Sequence, residues 1–78
     1  MASRRQNERK FGSWENLPAG GRRYFKKIPG RAGGHALYLK EVDADENTIR
    51  FWQEIYDAAN RLTAVHEKFP FDFGHKQL

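Results

Sequence analysis

The chain contains no cysteine, and only one methionine and three prolines, among 78 residues. Without thiols there is neither a disulfide nor a thiolate zinc centre, two devices on which very small domains often lean. The same absence sets aside the disulfide frameworks of small secreted domains, so a cytoplasmic location is expected. No apolar run approaches the ~20 residues of a membrane-spanning helix, and the opening MASRRQNERK lacks the apolar core of a signal peptide. No membrane partner is expected. Hydroxyl nucleophiles are scarce too: only Ser3, Ser13, Thr48 and Thr63 are present, none in a nucleophile-elbow context. No catalytic residue is assigned, no cofactor is implied, and the balance is against an enzyme.

What is present is aromatic and charged. Aromatics make up 14% of the chain and Asp, Glu, Lys and Arg 31%, a folded composition with a polar exterior. At this length there is one domain, which buries roughly 60% of its unfolded surface and has a correspondingly marginal core. The net charge of +4 is unevenly spread. Residues 1–39 carry nine Lys/Arg against two acids, and residues 40–78 carry five against eight. A basic front half and an acidic back half fit a nucleic-acid surface, or two halves that complement each other within a chain or between copies.

Residues 1–10, four of them Lys or Arg without apolar periodicity, read as a flexible basic arm, and 11–78 as a single small β domain. "FGSWENLP" offers Ser13 as an N-cap and Pro18 as a stop, enough for one helical turn. From Arg22 the segments read as strands between turns: "RRYFKKI", then "HALYLKEV", "TIRFWQEIY" and "RLTAVHEKF", separated by "PGRAGG", "DADEN" and "DAAN". The competing reading is α+β, with a helix over 46–59, in which Ile49, Trp52, Tyr56 and Ala59 fit a 3.6-residue period. The expectation is mainly β: an antiparallel meander of about four strands after a short N-terminal helical turn.

"YDAANRLTAV" resembles the tyrosine–aspartate repeat hairpin of large bacterial shell-forming toxin proteins, with Tyr56, Asp57, Arg61, Leu62 and Thr63 matching and Asn60 in the glycine place. That resemblance implies a three-residue loop, Ala58 to Asn60, with Asn60 left-handed, a conformation Asn tolerates better than most. The loop sets a register: Tyr56 opposite Leu62, Glu54 opposite Ala64, Trp52 opposite His66. Ile55 then faces Thr63, Gln53 faces Val65 and Ile49 faces Phe69. Over residues 11–76 the chain also looks like a family of short prokaryotic proteins known only as a domain of unknown function, which implies an independent domain and brings no site residues.

In this register both sheet faces are partly apolar. Leu37, Leu39, Trp52, Tyr56 and Leu62 lie on one, and Tyr38, Val42, Ile49, Phe51, Ile55, Val65 and Phe69 on the other. Phe11, Trp14 and Leu17 are expected to cover part of one face, and Phe71 and Phe73 part of the other. The remaining Tyr38, Phe51, Ile55 and Val65 form a candidate self-association surface, so a homodimer joined through a sheet face or edge is the leading expectation. The leading function is therefore a small non-enzymatic binding or interaction module, with a protein partner as the other option.

The alternative is nucleic-acid binding by Arg22, Arg23, Tyr24, Lys26, Lys27 and Arg31, since cations serve phosphate and aromatics stack bases. Against it, edge strands carry Lys and Arg simply to block aggregation. A metal-dependent enzyme is third. His66, Asp72 and His75, with Glu67, are fit ligands, but the spacing puts no two imidazoles on one helix turn, and no metal site is assigned. "DFG" at 72–74 has no kinase context. "AGGRR" and "PGRAGG" match no phosphate-loop spacing and read as turns.

Overall fold

The computed structural model describes residues 3–69 in full and residues 74–77 as a backbone strand. A helix, α1 (Arg4–Phe11), precedes six strands: β1 (Ser13–Asn16), β2 (Arg22–Pro29), β3 (His35–Val42), β4 (Thr48–Tyr56), β5 (Leu62–Phe69) and β6 (Gly74–Gln77). They form one antiparallel sheet in the order β1-β2-β3-β4-β5-β6, a pure meander. The segment that competed as a helix is β4, as its β-branched and aromatic residues favour.

The N-terminus departs from the expected arm. Ser3 caps α1 through a reciprocal box: its hydroxyl accepts from the Gln6 amide at 3.2 Å, and Gln6 Oε1 accepts from the Ser3 amide at 2.9 Å. Gly12, at φ 82°, ends the helix in the left-handed region, where a side chain would be strained. The expected helical turn after Ser13 is instead the edge strand β1, and Pro18 opens a loop rather than closing a helix. Hydrophobic periodicity could not reveal α1, because its buried positions are one apolar residue, Phe11, and one amide, Asn7.

Four tight loops join the first five strands, and they come in two chemistries. Residues 17–21 and 30–34 use Ala-Gly-Gly, with Ala19, Gly20, Ala32 and Gly33 all at positive φ. Residues 43–47 and 57–61 use Asp-Ala. The Asp43 carboxylate accepts from the Asp45 and Asn47 amides, and that of Asp57 from the Ala59 and Arg61 amides, each at 2.9 Å. These amides hold both carboxyls below the usual carboxylate range. Glu46 and Asn60 take the left-handed positions at φ 68° and 63°, so the left-handed Asn60 expected from the sequence is found. One loop of each kind meets at each end of the sheet. A Cβ on Gly21 would lie 2.5 Å from the Val42 carbonyl oxygen, and one on Gly34 would lie 2.6 Å from that of Tyr56.

The β4–β5 register begins as expected, with Tyr56 opposite Leu62, then slips by one before Ile55 and by one more between Trp52 and Phe51. Ile55 pairs with Ala64, Glu54 with Val65, Gln53 with His66, Trp52 with Glu67 and Phe51 with Phe69. The cause of the first slip is a bulge beside the loop, where the Thr63 hydroxyl donates to the Ile55 carbonyl at 3.2 Å instead of Thr63 pairing squarely. His66 and Glu67 still face opposite sides, but it is Glu67 that stands across from Trp52. The slip also turns Val65 over, away from Tyr38, Phe51 and Ile55.

One sheet face carries α1. Phe11, Tyr24 and Val42 form its buried cluster, with Tyr38 and Phe51 packed against it. Phe11 meets Phe51 edge-on at 6.1 Å between ring centroids and lies 5.9 Å from Tyr24. No helix packs on the other face among the described residues; Leu39 and Trp52 are buried there among their strand neighbours. Phe71 and Phe73, expected to cover part of a sheet face, fall outside the described residues.

Candidate functional site

Strand alternation separates the basic front of the sequence into two populations. On the face away from α1, cross-strand pairing aligns Glu15, Arg23, Glu41 and Arg50 on β1 to β4, with Glu67 of β5 diagonally beyond, a row of alternating charge. Arg23 bridges Glu15 and Glu41, the latter at 2.7 Å, and Arg50 binds Glu67 through two nitrogens. The carboxylates raise both guanidinium pKa values against the opposing effect of burial. Arg50 also stacks on Trp52 at 3.9 Å, which helps shield that ring. Glu54 accepts from Trp52 Nε1 at 3.0 Å and the Tyr56 hydroxyl at 2.7 Å, and His35 stacks on Tyr56 with centroids 4.8 Å apart. Both arginines of this ladder face are thus answered by acids, while Lys27 on the same face has no carboxylate partner among the described residues.

The helix face is built differently. Glu46, turned inward by its left-handed backbone, is a buried hub. It accepts from the Tyr24 hydroxyl, from Asn7 Nδ2 at 3.0 Å and from Arg4 Nε at 3.2 Å. Burial pushes its carboxyl up, but these three donors outweigh that and hold it below the usual range. Burial, then the Glu46 carboxylate, raise the Tyr24 hydroxyl. Lys40 donates to Asn7 Oδ1 at 3.0 Å, and burial followed by repulsion from Lys10 pushes its ammonium down. The hub fastens α1 to the loop at 43–47 and orders the helix that the sequence had presented as an arm.

Beyond the C-terminal end of α1 lies a half-open pocket of about 330 Å³. Phe11, Ile28, Tyr38 and Phe51 supply its apolar lining, and Lys10, Lys26 and Lys68 its charged rim. Lys10 sits 5.7 Å from the Phe11 centroid and 5.6 Å from that of Phe51. None of these three lysines has a carboxylate partner among the described residues. Ile28 is 37% exposed, a large apolar side chain left open at this rim.

The residues singled out as nucleic-acid ligands therefore do not converge. Arg22 is held by Glu8 at 2.6 Å and lies over Trp14 at 5.1 Å. Arg23 belongs to the ladder. Tyr24 has no exposed surface and cannot stack a base. Lys27 points to the ladder face, and Arg31 is exposed in the loop at 30–34. Only Lys26 reaches the pocket. Of the self-association set, Tyr38, Phe51 and Ile55 share the helix face, while the register slip puts Val65 on the other.

Among the described residues no group of three His, Asp or Glu side chains is arranged to hold a metal. His66 stands opposite Gln53 on one side and His75 on the other, a backbone pairing the sequence did not suggest; Asp72 lies outside the described residues. Sequence reasoning missed Lys10 and Lys68 because they come from distant segments, and Glu46 because a turn acid looks solvated. The Ser3–Gln6 box, legible as Ser-x-x-Gln, was the one signal that could have led to Lys10. No family model, curated protein or solved structure matches this chain.

Proposed function

We propose that this domain is a non-enzymatic binding module that works from its helix face and takes an anionic ligand at the lysine-rimmed pocket. One observation carries the reading: the ladder face pairs both of its arginines with acids, whereas Lys10, Lys26 and Lys68 gather round one apolar pocket with no carboxylate partner among the described residues. Ammonium groups brought together over apolar surface repel one another, and a bound anion relieves that repulsion. The same lysines weigh against a homodimer formed by apposing two copies of this patch, because each rim would meet its own charge. They support an anionic partner over self-association through Tyr38, Phe51 and Ile55.

A second reading, single-stranded nucleic acid, is favoured by the helix itself, since Arg5 and Arg9 of α1 are exposed and without carboxylate partners among the described residues. A polyanion lying along α1 and crossing the pocket would meet Arg5, Arg9, Lys10 and Lys26.

Tripolyphosphate tests the first reading. Followed by amide NMR shifts at low and high salt, it is expected to perturb Lys10, Lys26, Ile28 and Lys68 and to bind more weakly as salt rises. Perturbation spread evenly over the chain, or centred on the ladder face, would contradict it. For the second reading, a labelled twelve-nucleotide single strand should bind at low salt with a steep salt dependence. No binding at low salt removes it.

A further inference from the structure

We infer that the helix-face pocket is a site for a small organic anion with a flat apolar ring, an aryl phosphate or aryl carboxylate. The inference rests on the anion reading above and adds the body that must accompany the charge. Its size lies at the lower end of small-ligand pockets, ~300–1,000 Å³. A bare phosphate would leave the lining of Phe51, Tyr38 and Ile28 in water, whereas a single ring covers it.

The polar groups at the pocket fix the other half of the ligand. An ammonium offers three donors and no acceptor. The other polar side chain of the lining, Tyr38, already accepts from Gln53 Nε2 at 3.1 Å and has its own proton to offer. The lining side chains therefore donate more than they accept. An acceptor-only anion, carboxylate or phosphate, answers both the donors and the charge; a protonated amine or the N–H edge of a base does not. Lys26 and Ile28 share this face two residues apart on β2, so charge and apolar contact come from one rigid strand.

The test uses the full chain and four probes at matched ionic strength: phenyl phosphate, phenylacetate, inorganic phosphate and benzyl alcohol. Phenyl phosphate is expected to bind at least tenfold tighter than inorganic phosphate, and benzyl alcohol to bind more weakly still. The phenylacetate arm separates a carboxylate ligand from a phosphate. Shifts should centre on Lys26, Ile28, Tyr38 and Lys68. The exposed Ile28→Glu variant should lose binding at least tenfold without a change in Tm, and Lys26→Met serves if that variant does not fold. Equal affinity for phenyl phosphate and inorganic phosphate overturns the inference. If tripolyphosphate still binds in that case, the anion reading survives without the ring; if nothing binds, both fall.

Discussion

The two faces of this sheet are made from the same strands and largely the same residue types, yet they treat charge in opposite ways. On the ladder face, Glu15, Arg23, Glu41, Arg50 and Glu67 alternate in sign, so both arginines lie beside acids. On the helix face, Glu46 is drawn into a buried hub and Glu8 holds Arg22, and the lysines beyond α1 are left with the pocket. Net charge alone would not reveal this. A chain at +4 could be evenly neutralised or sharply divided, and the two-residue alternation of the strands decides which.

The comparison breaks most severely at the anchor of the helix. Phe11→Ala removes the ring that joins α1 to Tyr24 and Phe51, at a cost of about 3–5 kcal/mol. That is a large part of the stability available to so small a domain, and urea unfolding should show a non-cooperative or largely unfolded protein. Tyr24→Phe is gentler. It removes one donor from the buried Glu46 carboxylate and should cost about 1–3 kcal/mol, with no change in unfolding m-value.

Acid acts on the same hub and on both Asp-Ala loops. Glu46, Asp43 and Asp57 have folded-state pKa values below their ordinary ones, so the folded form binds fewer protons than the unfolded chain. Their contribution is complete above the usual carboxylate range and is lost as pH falls through the depressed values. Tm should therefore drop steeply below about pH 4. Asp57→Asn should flatten that dependence; an unchanged acid limb would contradict the assignment.

The ladder should yield the smallest effect. Arg50 and Glu67 are partly exposed, and a double-mutant cycle should give at most ~1 kcal/mol of coupling, weakened by salt. Little stability is lost, but Glu67→Gln should free Arg50 and raise the anion affinity of the ladder face above that of the wild type.

How far the sequence could be read follows the same division. The four central strands of the meander, the turns between them and the faces of Leu39, Trp52, Tyr38 and Phe51 come from local pattern, and the left-handed Asn60 from the hairpin resemblance; the edge strands β1 and β6 did not show in it. Val65 was assigned to the wrong face because a bulge at Thr63 is a contest between a side-chain and a ladder hydrogen bond, which alternation cannot foresee. The helix stayed hidden because half its anchoring is polar, Asn7 on Glu46, so it lacks a hydrophobic stripe. The pocket was out of reach for a further reason. Lys10, Lys26 and Lys68 stand on three elements, and Lys26 looked equivalent to its neighbour Lys27.

That neighbouring pair gives the sharpest test. Lys26 and Lys27 are adjacent on β2, both exposed and identical in charge, but they point to opposite faces. Tripolyphosphate affinity should fall severalfold in Lys26→Ala and stay within experimental error of wild type in Lys27→Ala. Equal losses in the two variants would mean that only total charge matters, and would contradict the division between the faces.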